Sequence, residues 1–217
     1  MQKNTSNKLF RTPFSADYWK QAMQDAKSVR MITVAALLIA LRIVLKNFHI
    51  PIGQGMDIYF GYMLNAMGAM IYGPIMGLLT GFVVDILGFV LFPSPYGFFF
   101  GYTITAMMGS FIYALFFYRT RLSVLKIALA KLSVNVFVNV GLGALWSSML
   151  YGKGYLYYLG RSILKNVVCL PVEILFLVLF LQLMLPILHR MKLISRQPSE
   201  RIPLIRHKEV AESEKAE

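Results

Sequence analysis

Apolar and polar positions alternate along this 217-residue chain on the scale of whole segments. Six long apolar stretches stand out, at about 31–48, 58–72, 75–92, 98–118, 124–149 and 162–188. Each meets or approaches the ~20 residues that a helix needs to cross the hydrocarbon core of a bilayer, the second being the shortest. Short connections rich in Gly, Pro and Tyr separate them. His49 to Asp57 carries one Pro and two Gly, Tyr72-Gly73-Pro74 breaks the second stretch from the third, and Phe92-Pro93-Ser94-Pro95-Tyr96-Gly97 ends the third. Tyr118 to Arg121 and Tyr151-Gly152-Lys153-Gly154-Tyr155 close the fourth and fifth. Such residues terminate helices, and Pro171 and Pro186 inside the sixth are candidate kinks. The pattern predicts an all-α integral membrane bundle of six transmembrane helices.

The flanks differ in kind. Residues 1–30 read as a leader with a short amphipathic helix that starts at Ser15, with Asp17 in its first turn. Tyr18, Trp19, Ala22, Met23 and Ala26 take one side, and Lys20, Gln21, Gln24, Asp25 and Lys27 the other. That helix lies on the membrane surface or packs against a partner. Residues 190–217 are charged and poor in apolar groups, which predicts a mostly disordered tail. The expected organisation is a leader over 1–30, a transmembrane domain over 31–189 and a tail over 190–217.

Composition supports a membrane protein, with 57% hydrophobic residues, 15% charged residues and a mean hydropathy of +0.60. Net charge is +12, yet the basic residues fall mostly outside the apolar stretches, so charge follows topology and argues against nucleic acid as a partner. Seventeen Lys and Arg lie in the leader, the connection after the fourth stretch and the tail, against four on the other side. Both termini are therefore expected in the cytoplasm. No signal peptide is evident. Cys169 is a single cysteine, and His49, His189 and His207 are scattered, so no disulfide framework, metal site or cofactor is expected.

Candidate chemistry gathers at the outer end. In the first stretch Ala36 and Ala40 share one helical face, while Arg42 stands about 200° round from Ala40. A small-residue face suits close helix contact, and a charge at that depth must look into protein. Asp85 continues a ridge of Gly73, Gly77 and Gly81 at four-residue spacing. Arg161 and Lys165 are one turn apart near the start of the sixth span, and Trp146 ends the fifth. The connections add Gln54, Asp57, Tyr96, Phe98, Phe99, Phe100, Thr103, Tyr151 and Lys153. Cations, a carboxylate and aromatic faces together suit a planar, hydrogen-bonding, anionic solute. Alternatives stay open: Asp85 pairs with Arg42 or meets ligand, and the aromatic connection is an interfacial belt or a pocket wall. Lys131, Asn135 and Asn139 form interhelical glue, or Asn139 touches ligand. Glu173 is a functional carboxylate or half of an ion pair.

No phosphate-binding loop, nucleophile elbow or His-Glu-x-x-His motif is present, and no enzyme activity is expected. Four stretches carry a resemblance: Arg11-Thr-Pro-Phe-Ser-Ala-Asp-Tyr-Trp19, Asp85-Ile-Leu-Gly-Phe-Val-Leu-Phe-Pro93, Gly97-Phe-Phe-Phe-Gly-Tyr-Thr103 and Leu145-Trp-Ser-Ser-Met-Leu-Tyr-Gly152. Together with Ala36-Leu-Leu-Ile-Ala40, they resemble the substrate-binding (S) components of energy-coupling-factor vitamin transporters, most of all the folate-specific ones. The resemblance implies a bacterial multi-pass cell-membrane protein that binds folate or a related vitamin on the outer face. It also implies three partners: two ATPase subunits and a transmembrane coupling subunit that docks on the Ala-x-x-x-Ala face. On that reading Asp85 meets the pterin N–H donors, Trp146 and Tyr96 stack on rings, and Arg42, Lys153, Arg161 and Lys165 compete for the carboxylates. A different vitamin, or a stand-alone transporter using Asp85 or Glu173 as a proton site, is the alternative.

Overall fold

Ser15 opens the first helix, α1 (Ala16–Ala26), by accepting a hydrogen bond from the Tyr18 backbone N–H at 3.3 Å. The computed structural model describes residues 9–10, 12–46, 48–53, 56–93, 97–195 and 202–204. A 76° bend separates α1 from α2 (Val29–Leu45). An antiparallel hairpin follows, β1 (His49–Gly53) and β2 (Met56–Tyr59), where the sequence predicts only a loop. Then come α3 (Gly61–Leu91), α4 (Phe100–Phe117), α5 (Val124–Ser133), a π-helical segment (Val134–Leu142), α6 (Gly143–Tyr151) and α7 (Tyr155–Arg190). Residues 124–151 run as one continuous span through the wide π turns. Among the described residues four helices are long and apolar enough to cross a membrane, α2 at 17 residues being a residue short of that measure.

Six spans are recovered once the interior of α3 is considered. Gly73 has φ 79° and ψ −173°, non-helical values that break α3 immediately before Pro74. Asn65 accepts from Ser110 Oγ at 2.7 Å, while a Cβ on Gly77 would stand 3.4 Å from the Ser110 carbonyl oxygen. Twelve residues of straight helix would hold Asn65 and Gly77 about 18 Å apart. Both meet one residue of α4, so the chain reverses at Gly73-Pro74. Gly61–Tyr72 and Pro74–Leu91 are therefore antiparallel partners, matching the second and third predicted spans.

The glycine ridge explains the closest helix contact. A Cβ on Gly81 would lie 2.7 Å from the Ala106 carbonyl oxygen, so only glycine lets α3 and α4 approach this far. Gly73 serves the turn instead of the ridge. The core lies between α3, α4, α5 and α7, around Tyr72, Phe117, Ile127, Leu177 and Leu181.

At the end carrying α1, the Tyr18 hydroxyl donates to the Ala114 carbonyl at 3.1 Å. The Asp25 carboxylate accepts from the Tyr118 hydroxyl at 2.6 Å and pairs with Arg119 at 3.0 Å. The predicted tail is partly ordered. Pro203 and Leu204 carbonyls accept from the Val124 and Leu125 N–H groups at 2.9 and 3.2 Å, and Ile202 N–H donates to Gln182. These carbonyls satisfy donors that the first turn of a helix leaves free.

Candidate functional site

The hairpin end of the bundle collects most of the candidate residues. Phe99 precedes α4, and its ring meets Trp146 of α6 edge to face at 5.7 Å. Trp146 Nε1–H donates to Thr105 Oγ1 at 3.0 Å, and Phe99 also packs against Tyr102 at 5.7 Å. A side chain at Gly101 would run into Phe99 and would stand 2.7 Å from Trp146, so a bare backbone seats this aromatic pair. Asp85, half-buried on α3, accepts from the Thr103 hydroxyl at 2.7 Å. Thr103 is itself fully buried.

Further out, the rings of Tyr151 and Tyr158 lie 6.2 Å apart, and the Lys153 ammonium stands 4.7 Å from the Tyr157 ring centroid. Lys153 and Arg161 are exposed, and Lys165 is half-buried. The sixth span starts earlier than predicted, at Tyr155, so Arg161 and Lys165 sit on its second and third turns. Tyr96 and Gln54 fall outside the described residues.

Arg42 does not take up one of the two alternatives, the ion pair with Asp85. It is buried, with 8% exposure, but no ion pair joins it to Asp85 among the described residues. One of its nitrogens, Nη1, has no hydrogen-bond partner among the described residues. A helical arginine points its side chain back toward the N-terminus of its helix, so the head lies deeper than the backbone position suggests. The opposite face of α2 is open: Ala36 and Ala40 are exposed, flanked by exposed Leu37 and Leu41.

A polar ladder lines α5, the π segment and α7. Lys131 Nζ pairs with Glu173 at 3.1 Å, with 2% and 13% of the two side chains exposed. Asn135 donates to Glu173 at 3.2 Å, and Asn139 donates to Asn135 at 2.8 Å and to Asn166 at 3.4 Å. Ser162 closes the ladder by donating to the Asn139 carbonyl at 3.1 Å. The Tyr62 ring lies 4.1 Å from the Lys131 ammonium, and its hydroxyl donates to the Glu173 carbonyl at 3.0 Å. Lys131, Asn135 and Asn139 thus join helices to one another, as their spacing suggests. Sequence reading does not identify Asn166, Ser162 or Tyr62, which lie on other elements and become neighbours only in the packed bundle.

Among the described residues this arrangement has no nucleophile–base pair at its centre. It offers an aromatic cluster, a carboxylate held by a hydroxyl, and several cations. Among the described residues no cluster of His, Cys, Asp and Glu is placed to hold a metal.

Comparison with known proteins adds four findings. A family model described as "ECF-type riboflavin transporter, S component" matches residues 26–192. A folate transporter FolT of Clostridium novyi (strain NT) is 31% identical over 147 residues, spanning 68% of this chain and 85% of the relative. A FolT of Leuconostoc mesenteroides subsp. mesenteroides is 26% identical over 151 residues, spanning 67% of this chain and 80% of the relative. A solved structure described as "Crystal structure of FolT bound with folic acid" superimposes with a TM-score of 0.60 and 28% identity, over 68% of this chain and 88% of that one.

Proposed function

The chain belongs to the S components of ECF transporters, and from that premise we propose that it captures folate at the outer face of a bacterial membrane for ATP-driven import. The observation that carries the reading is the likeness to a FolT solved with folic acid. The family model bears riboflavin in its description, whereas the two named relatives are folate transporters. Side-chain chemistry favours the second. Riboflavin is uncharged and needs no cation, whereas folate carries two carboxylates, which suit Arg42, Lys153, Arg161 and Lys165.

On this reading Asp85, held by Thr103, accepts from the pterin N–H donors. Phe99, Trp146 and Tyr151 provide ring faces. The chain performs no catalysis; two ATPase subunits supply the energy through a transmembrane coupling subunit. The exposed Ala36 and Ala40 face is where that subunit docks. The excess of Lys and Arg supports a reading in which both termini lie in the cytoplasm.

Membrane lipid is the remaining partner. The 76° bend lays α1 across the membrane direction, and its Trp19 packs against Phe111 of α4, extending the lipid-facing surface. Lys20 and Lys27 follow on the adjoining arc, at the level of anionic headgroups.

A stand-alone proton-coupled transporter is the weaker reading, because Glu173 is already paired with Lys131 and Asp85 with Thr103. Folate uptake by cells that hold this chain, with and without the coupling and ATPase subunits, tests the difference. Uptake only with the partners supports the proposal, and equal uptake without them overturns it.

A further inference from the structure

Arg119, two residues past the end of α4, has φ 48°. Among the described residues only Arg119 and Lys192 combine a side chain with a positive φ. An L-residue meets steric conflict there, whereas glycine adopts it freely after a helix. An arginine at such a position needs contacts that hold it. The leader supplies them. The Asp25 carboxylate of α1 accepts from Arg119 Nη2 at 3.0 Å and Nε at 3.3 Å, and from the Tyr118 hydroxyl at 2.6 Å. The Phe10 N–H donates to the Arg119 carbonyl at 2.7 Å.

Asp25 works in two directions. Its carbonyl accepts from the Ser28 N–H at 3.0 Å, within the 76° bend that joins α1 to α2. Its carboxylate holds the turn between α4 and α5. One residue therefore ties the root of α2 to that turn. The far end of the turn is anchored separately, by the Pro203 and Leu204 carbonyls on the Val124 and Leu125 N–H groups. Tyr118, Thr120, Leu122 and Ser123 are all buried, so little slack is left to absorb a backbone change at Arg119. Phe10 and Asp25, like residues 203 and 204, lie outside residues 26–192 that the family model matches, so the holding contacts come from beyond the matched region.

We propose that Arg119 is a latch: Asp25 holds it in the left-handed conformation, and movement of α2 under a docked coupling subunit withdraws Asp25 and lets the turn relax. The link to docking rests on the coupling-subunit reading above; the latch itself does not. The residue type carries the argument. Glycine would make the turn independent of α1, whereas arginine makes its conformation conditional on Asp25. A switching element needs two arrangements of similar energy, and a conditional turn provides them.

The test is amide hydrogen exchange on the purified full-length chain, read in peptides that cover residues 118–125, with α3 as the fold control. Asp25→Ala is expected to speed exchange there about tenfold, the cost of an L-residue at this φ expressed as a ratio. Arg119→Ala is expected to do the same. Arg119→Gly loses the same ion pair but needs no holding, so its exchange stays within about threefold of the wild type. A simple ion pair would not separate alanine from glycine. Equal acceleration in Arg119→Ala and Arg119→Gly overturns the latch, as does wild-type exchange in Asp25→Ala. Assembly of the wild-type chain with the coupling and ATPase subunits is expected to speed exchange over 118–125 about tenfold. Unchanged exchange in that complex overturns the link to docking alone. A chain that forms no such complex overturns the docking reading and the link with it.

Discussion

The Lys131 ammonium lies 3.1 Å from the Glu173 carboxylate in the interior of the bundle, with the Tyr62 ring over it. Each charge there is tolerable only because of the other. Lys131→Met alone leaves an uncompensated carboxylate and should cost about 3–5 kcal/mol. The double variant Lys131→Met with Glu173→Leu should recover most of that loss. Thermal unfolding in detergent measures both. A single variant as stable as the double would show that Glu173 finds another partner.

At the α1 end, burial pushes the Tyr18 hydroxyl above its ordinary value. The folded state therefore holds this proton more tightly than the unfolded chain does. The resulting stability is fully present below about pH 10, the unfolded tyrosine value, and declines as pH rises through the folded value. Tyr18→Phe should lose the bond to Ala114, about 1 kcal/mol, and show a shallower alkaline decline. Melting temperatures from pH 7 to 11 check this, and parallel curves for both proteins would contradict it.

Gly101 is where the aromatic cluster is most easily disturbed. Gly101→Ala places a methyl group against Phe99 and Trp146. One of the rings must move, and folate affinity should fall about tenfold or more while the protein stays folded. Calorimetric titration with folate, with near-ultraviolet circular dichroism as the fold control, measures it. Unchanged affinity would remove Phe99 and Trp146 from the ligand site.

The two faces of α2 should separate by experiment. Ala36→Trp and Ala40→Trp change an exposed face, so transport by the full complex should be lost while folate affinity is unchanged. If affinity falls as well, that face serves the interior of the bundle instead of a coupling partner.

Much of this plan is readable from composition and spacing, because a bilayer demands long apolar helices and few other solutions exist. The six spans, the Ser15 cap, the glycine ridge and the opposition of Ala40 and Arg42 on α2 all follow from periodicity. What escapes has a common cause. The depth of the Arg42 head depends on side-chain direction, which periodicity does not give. An ion pair for Glu173 is one of two readings that the sequence leaves open, and its geometry needs α5 and α7 side by side. Residues 202–204 look like solvated tail by composition, yet their carbonyls meet the free N–H groups of α5. The hairpin at His49–Tyr59 is too short and too rich in Gly and Pro to show alternation.

The most direct measurement is titration of the purified chain, alone and without nucleotide, with folate and with riboflavin. Folate is predicted to bind saturably with one-to-one stoichiometry, with no response to riboflavin. Saturable riboflavin binding with no response to folate would contradict the account, placing this chain among the S components but with a different vitamin.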